Sequence, residues 1–282
     1  MPKRNTEPFR RLTGLEEDQS EVPFVIPDLE QDLRGGMYLT MALAKLSSRS
    51  VVKKMYSAAC NYFALLNEVL NRAREGDSEA LRQARRIAAF PEAREIGMGY
   101  SRQGWYLCAF CPGNLNLHIV ETLIDFPGIA EECVDEPDTI TFIANVGLDR
   151  ASDALASINK RHLGNFTEQM AQDYLDADCV ETVSIAGAWN SEDLVFDTFE
   201  AAVPVDGTKP ILLVPKEIVR SSPPVRPVHY EREYYPTSEL GKGEVKETIM
   251  EENKTDPTRL KKVVDEVLAN PDRYRPRREF RD

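Results

Sequence analysis

The chain has 282 residues, of which 42% are hydrophobic and 29% charged, and its formal net charge at pH 7 is −12. That length makes one large domain or two small ones, either big enough to bury a core without disulfide or metal staples. The acidic balance argues against non-specific adhesion to nucleic acid or to an anionic membrane, and no apolar run approaches the ~20 residues that a spanning helix needs.

Residues 1–21 are polar, with acids gathered at 16–21, and are expected to form a disordered leader. The start, Met1-Pro2-Lys3-Arg4, never enters an apolar stretch, so no signal peptide is expected. A mixed α/β core is expected over 22–222, opening with an edge strand or docking segment at 22–26 between Pro23 and Pro27. Helices are expected over 37–46 and 51–73. In the second, Val52, Met55, Ala59, Tyr62, Phe63, Leu66, Val69 and Leu70 recur at spacings of three and four, the mark of one buried face. Gly76-Asp77 reads as a stop and an N-cap for a helix over 78–89, ended by Pro91.

Further along, residues 94–100 suggest a strand and 114–126 a helix. Residues 129–133 suggest a short turn, and 139–146 suit either strand or helix. Separate helices are expected over 151–158 and 166–175. Strands are expected over 180–185 and 198–203, and the run from Pro210 to Val214 reads as a buried strand. Residues 223–282 are expected to hold a linker with Pro223, Pro224 and Pro227, two polar helices at 239–252 and 257–269, and an arginine-rich tail. Lys242, Lys246, Glu247 and Glu251 make those helices look solvated or partner-facing. Helices first and strands later point to an α+β fold with a helical C-terminal appendage, not a doubly wound array.

Five cysteines at irregular spacing, Cys60, Cys108, Cys111, Cys133 and Cys179, read as reduced thiols in a cytoplasmic protein. Cys108 and Cys111 form a C-x-x-C pair with His118 downstream, yet four zinc ligands are not in sight, and the neighbours Trp105, Tyr106, Leu107 and Phe110 suit buried thiols. Gly97, Gly99 and Gly104 around Tyr100 and Ser101 match neither a P-loop nor a dinucleotide fingerprint. No G-x-S-x-G elbow surrounds a serine, so acyl transfer is set aside.

Asp149 and Asp153 stand four apart and would share a helix face, where they could hold Mg²⁺, with Arg150 reaching a phosphate. The competing reading is a helix start, with Asp149 or Ser152 capping the amides and Asp153 in the first turn. Lys216, just after a strand, suits stabilisation of phosphate charge in a metal nuclease. Such enzymes carry an acid two positions earlier, where this chain has Val214.

Phe90-Pro91-Glu92, Gly99-Tyr100-Ser101, Gly147 to Asp153 and Ile211 to Lys216 follow in order. In this the chain resembles a family of largely uncharacterised bacterial proteins with a GxDRxSD segment and an LVPK strand end, over roughly residues 22–220. The resemblance implies an accessory role such as phage defence or nucleic-acid handling, and a polar site at Asp149, Arg150, Asp153 and Lys216. The chain departs from the pattern at 105–111, where relatives carry more glycine, and in an acid displaced to Asp28. Two functions therefore stand as expectations. One is a non-catalytic interaction subunit that meets a protein partner through residues 225–282. The other is a metal-dependent nuclease or phosphodiesterase.

Overall fold

The computed structural model describes residues 4–31, 33–99, 115–236 and 242–270. Helix α1 (Glu7–Thr13) leads to strands β1 (Leu33–Arg34) and β2 (Gly36–Met37). Helices α2 (Met41–Leu46), α3 (Ser50–Arg74) and α4 (Ser78–Ile87) precede β3 (Met98–Gly99). Helices α5 (Leu115–Asp125), α6 (Pro127–Asp135) and α7 (Leu148–Tyr174) follow. Then come the hairpin β4 (Val180–Asn190) and β5 (Val195–Asp206), β6 (Lys209–Pro210), β7 (Val219–Arg220), and helices α8 (Pro227–Tyr234), α9 (Lys242–Thr255) and α10 (Thr258–Leu268). Strands β1 and β3 pair in parallel, β2 pairs antiparallel with β7, and β4-β5-β6 form an antiparallel sheet. The fold is α+β. Among the described residues no helix is long and apolar enough to cross a membrane.

Helix α3 buries the eight apolar positions that its sequence spacing singles out. Asp77 caps α4, its Oδ1 accepting the N–H groups of Glu79 and Ala80 at 2.9 and 3.0 Å. The two helices expected over 151–158 and 166–175 are one, because Gly164 does not break α7. It admits Phe199 from β5, whose ring would meet a Cβ at 2.7 Å. Residues 139–146 begin in a 3-10 segment, Pro137–Phe142, and 37–40 are extended ahead of the Thr40 cap of α2.

Two apolar clusters flank the run Ile211 to Val214. Leu212 and Val214 belong to the main core with α3, α6 and α7, whereas Ile211 and Leu213 belong to a smaller one with Phe9, Leu15, Phe166 and Met170. Alternation in an extended chain thus explains why every residue of the run is apolar: both faces are covered. Only Lys209–Pro210 joins a ladder. The Ile211 N–H still reaches β5 at the Pro204 carbonyl, whereas the amides of Leu212 and Leu213 go to the Glu95 carbonyl and Thr167 Oγ1.

The N-terminal segment differs from the disordered leader expected of it. Phe9 and Thr13 in α1 are fully buried, Leu15 is 3% exposed, and the Asp176 N–H donates to the Thr13 carbonyl at 2.8 Å. Its polar composition hid the apolar anchors Phe9 and Leu15, which join Val22 and Phe24 of the expected docking segment in one cluster. Asp28 is 5% exposed and organises this arm, accepting the N–H groups of Asn5, Glu30 and Gln31.

The C-terminal helices also differ from a solvated appendage. Val245, Ile249, Leu260, Val263, Val264 and Val267 join the main core, and Val225 in the proline-rich stretch is fully buried. Pro227 starts α8 at a position where its missing N–H is harmless. Glu252 ties the three helices together, accepting from Tyr230 Oη at 2.6 Å and from Tyr235 Oη, and pairing with Arg259 at 3.2 Å. Lys246 is half-buried and donates to the carbonyls of Ile143 and Val146 at 3.1 and 2.7 Å, and burial pulls its pKa down to about 8. The expected basic tail over 273–281 lies outside the described residues. Phe9→Ala is expected to cost about 3–5 kcal/mol and Ile249→Ala about 2–5 kcal/mol in urea unfolding. A change below about 0.5 kcal/mol at either site would mean that its segment does not pack as described.

Candidate functional site

Helix α7 begins at Gly147, an N-cap without a side-chain cap bond, and Asp149 lies in its first turn. The cap expected from Asp149 or Ser152 is therefore not made. Ser152 reaches across the fold, its Oγ accepting the Met37 N–H at 2.9 Å. Gly36 makes room for it, since a Cβ there would lie 2.6 Å from the Ser152 Cβ. Arg150 turns back to donate to the Asn145 carbonyl at 2.6 Å. Asp153 accepts the Ala93 N–H, which fastens the segment after α4 to α7.

Asp149 and Asp153 do share a face, and Glu92 approaches them. Burial pushes the Asp153 carboxyl up to about 8, the charges of Asp149 and Glu92 push it further, and the Ala93 N–H and the Lys160 charge oppose them. At neutral pH Asp153 accordingly holds a proton. Lys160, two turns on, is 1% exposed. Its Nζ donates to the carbonyls of Glu92 and Ala186 at 3.2 and 2.9 Å and faces Glu95 Oε2 at 3.0 Å as an ion pair. A hard cation wants several ionised oxygens, so a protonated Asp153 with one carboxylate on the next turn fits Mg²⁺ poorly. Among the described residues no group of three or more His, Cys, Asp or Glu side chains is arranged to hold a metal.

Lys216 is brought to the N-terminal arm. It is 4% exposed, its Nζ donates to the Ser20 carbonyl at 3.0 Å, and its N–H donates to the Pro23 carbonyl at 3.1 Å. Cys108, Cys111, Tyr100 and Ser101 lie outside the described residues. His118 Nε2 sits 2.9 Å from the Ala144 carbonyl oxygen.

The sequence reading missed a second buried acid, Asp138. It is fully buried, accepts the Leu39 N–H on Oδ1 at 3.0 Å, and is pushed up to about 8 by burial against the opposing Arg220 charge. Its Oδ2 is buried with no hydrogen-bond partner among the described residues. Nothing in the local spacing around Asp138 signals this, because Leu39 and Arg220 are remote in the chain.

The reading also missed a cleft of about 580 Å³ between α3, α7 and the tip of the β4–β5 hairpin. Lys53, Ser57 and Asn61 line it from one face of α3, at spacings of four. Ile158, Arg161 and His162 line it from α7, and Trp189 closes it from β4. Arg161 Nε donates to the Trp189 carbonyl at 3.2 Å, its Nη2 pairs with Asp197, and its guanidinium lies 5.3 Å from the Phe199 ring centre. Burial, with Lys54 beside it, lowers the His162 pKa, so the imidazole is neutral at pH 7. The polar spacing on α3 was visible in the sequence; the packing of α3 on α7 that turns it into a wall was not.

Residues 14–226 match the sequence family described as "Domain of unknown function (DUF8370)". The chain belongs to that family. No curated protein and no solved structure matches it. The DUF8370 match leaves out α1 and its Phe9, takes in the two apolar clusters from Leu15 to Val225, the whole of α7 and every residue lining the cleft, and ends at Arg226, the N-cap of α8.

Asp153 and Asp138 keep their protons to about pH 8 in the folded chain, and an unfolded carboxylate loses its proton near 4. The unfolded state thus binds fewer protons between these limits, and stability falls as pH rises from about 4 to about 8. Asp153→Asn is expected to melt close to the native protein near pH 3.5 and increasingly above it as pH rises to 8.5. Equal melting differences at both pH values would mean that Asp153 ionises normally.

Proposed function

We propose that this DUF8370 protein is a non-catalytic interaction subunit of a bacterial multiprotein system, one directed against phage. The observation that supports it best is how the motif polar groups are used. Arg150, Ser152 and Asp153 each bond a backbone group, two of them in distant segments, and Lys216 does the same for the N-terminal arm. These are the bonds of a framework that leaves little freedom for chemistry. The bacterial setting and the link to phage rest on the resemblance of the GxDRxSD and LVPK segments.

The partner surface lies on the outer side of the C-terminal helices. With Val245 and Ile249 of α9 turned inward, Glu244, Glu247 and Glu251 form an exposed row at spacings of three and four. Such a row suits a partner with a basic face, and its charges steer encounter more than they add affinity.

The alternative is a metal-dependent nuclease or phosphodiesterase, with Mg²⁺ on Asp149 and Asp153 and charge stabilisation by Lys216. One observation favours it: the approach of Asp149 and Glu92 to Asp153, which concentrates negative charge at one spot.

Two experiments separate the readings. Tagged full-length protein purified from its native cells should bring down a basic protein. Glu244→Lys/Glu247→Lys/Glu251→Lys should lose that protein while changing stability by less than about 1 kcal/mol. Retention of the same protein by the triple variant would refute the docking face. A melt with Mg²⁺ or Mn²⁺ should leave Tm unchanged. A rise of more than about 3 °C that disappears in Asp149→Asn/Asp153→Asn would favour the phosphodiesterase, since a ligand of the folded state alone stabilises it.

A further inference from the structure

We propose that the cleft between α3, α7 and the β4–β5 hairpin binds a small phosphate-bearing ligand with a planar ring, of the nucleoside phosphate class. Its lining holds Lys53, Lys54, Arg161 and the neutral His162 and no carboxylate, the Asp197 that pairs with Arg161 standing outside it, in a chain with 47 acidic and 35 basic residues. Other exposed helix cations divide into those paired close by, Arg72 with Asp77, Arg82 with Glu79, Lys254 with Glu251 and Lys261 with Asp265, and those with no ion pair among the described residues, Arg11, Lys45 and Arg232. Lys53 and Lys54 form no ion pair among the described residues. Helix α3 has no acidic residue of its own in its first turn, and the Glu217 carboxylate at its N-cap is paired with Arg49 at 3.2 Å. Lys53 and Lys54 thus bring two exposed positive charges to the cavity's lining.

Arg161 is positioned before any ligand arrives. Asp197, the Trp189 carbonyl and the Phe199 ring fix its guanidinium, while Nη1 has no hydrogen-bond partner among the described residues. A planar fork held in this way suits phosphate oxygens. Behind the cations stands a rigid apolar floor. Tyr62 is fully buried with its Oη donating to the Ile87 carbonyl at 2.7 Å, and its ring centre lies 4.8 Å from that of Trp189. Cations at the mouth and an aromatic floor together match a ligand with an anionic end and a flat apolar end.

Size and charge select a small ligand over a polymer. A volume of about 580 Å³ falls within the range of small-molecule sites. The net charge of −12 repels a long polyanion, whereas a local cationic pocket still attracts a short one. The inference does not depend on the role given to α7's first turns or to α9.

Calorimetric titration of the full chain with AMP, ADP and inorganic phosphate tests it, with a single-stranded DNA oligonucleotide as comparison. AMP or ADP should bind more tightly than phosphate alone, and binding should weaken as salt is raised. Lys53→Glu/Lys54→Glu should weaken it at least about tenfold. Ser57→Glu, which sets a carboxylate on the exposed wall, should do likewise. Both variants alter exposed side chains, so their melting without ligand should stay close to that of the native chain. Absence of AMP and ADP binding at about 5 mM ligand, or binding that both variants retain, would overturn the proposal. So would binding of the oligonucleotide without the mononucleotides, which would make the cleft part of a nucleic-acid track.

Discussion

A buried ammonium sets the constraint on which the rest of this structure depends. Lys160 sits in the middle of α7 with 1% of its surface exposed, and a charge there is tolerable only if every partner is in place. The partners come from two other elements: the Glu92 carbonyl and Glu95 carboxylate ahead of β3, and the Ala186 carbonyl in β4. Satisfying one side chain therefore fixes the relative positions of α7, the 92–96 segment and the hairpin. Asp153, two turns earlier, holds the same segment through Ala93, and its proton keeps a second charge out of the same interior.

With α7 fixed, the apolar parts fall into two groups around it. Phe166 and Met170 serve the smaller cluster, and Leu155, Ile158 and Leu163 serve the larger one. The run from Ile211 to Val214 threads between the two clusters and gives alternate side chains to each. Thr167 links these layers: its Oγ1 donates to the Leu163 carbonyl and accepts the Leu213 N–H. Helices α8 to α10 then cover the α6 side, beyond the end of the DUF8370 match. The cleft stands on the opposite fate of α7's polar positions: Arg161 and His162, neighbours of the buried Lys160, turn outward and meet α3.

Periodicity carried what depends on one element at a time. The buried face of α3, the Asp77 cap of α4 and the pairing strands of the hairpin were legible because helix and strand spacing decide them locally. The split between 151–158 and 166–175 was wrong, since α7 runs on through Gly164, whose place there is explained by the Phe199 ring from another element. The leader over 1–21 misled by composition, as Phe9 and Leu15 are diluted among polar residues yet converge on one cluster with Val22 and Phe24 of the expected docking segment. At the candidate site, the shared face of Asp149 and Asp153 was legible from spacing alone. The buried Lys160, the protonated Asp138 and the cleft were not, because their surroundings come from other elements, remote in the chain. A lysine inside a helical pattern reads as a solvated one until its carbonyl partners are known.

The most direct test of this account is a double-mutant cycle on the Lys160–Glu95 pair, read by urea unfolding. Lys160→Met alone should cost about 3–5 kcal/mol, because it leaves Glu95 and two carbonyls without their partner. Lys160→Met/Glu95→Gln should recover a measurable part of that loss, with a coupling energy above about 1 kcal/mol. Single variants that each fall within about 0.5 kcal/mol of the native chain, with no coupling, would contradict the account: α7 would then be held by its apolar faces alone.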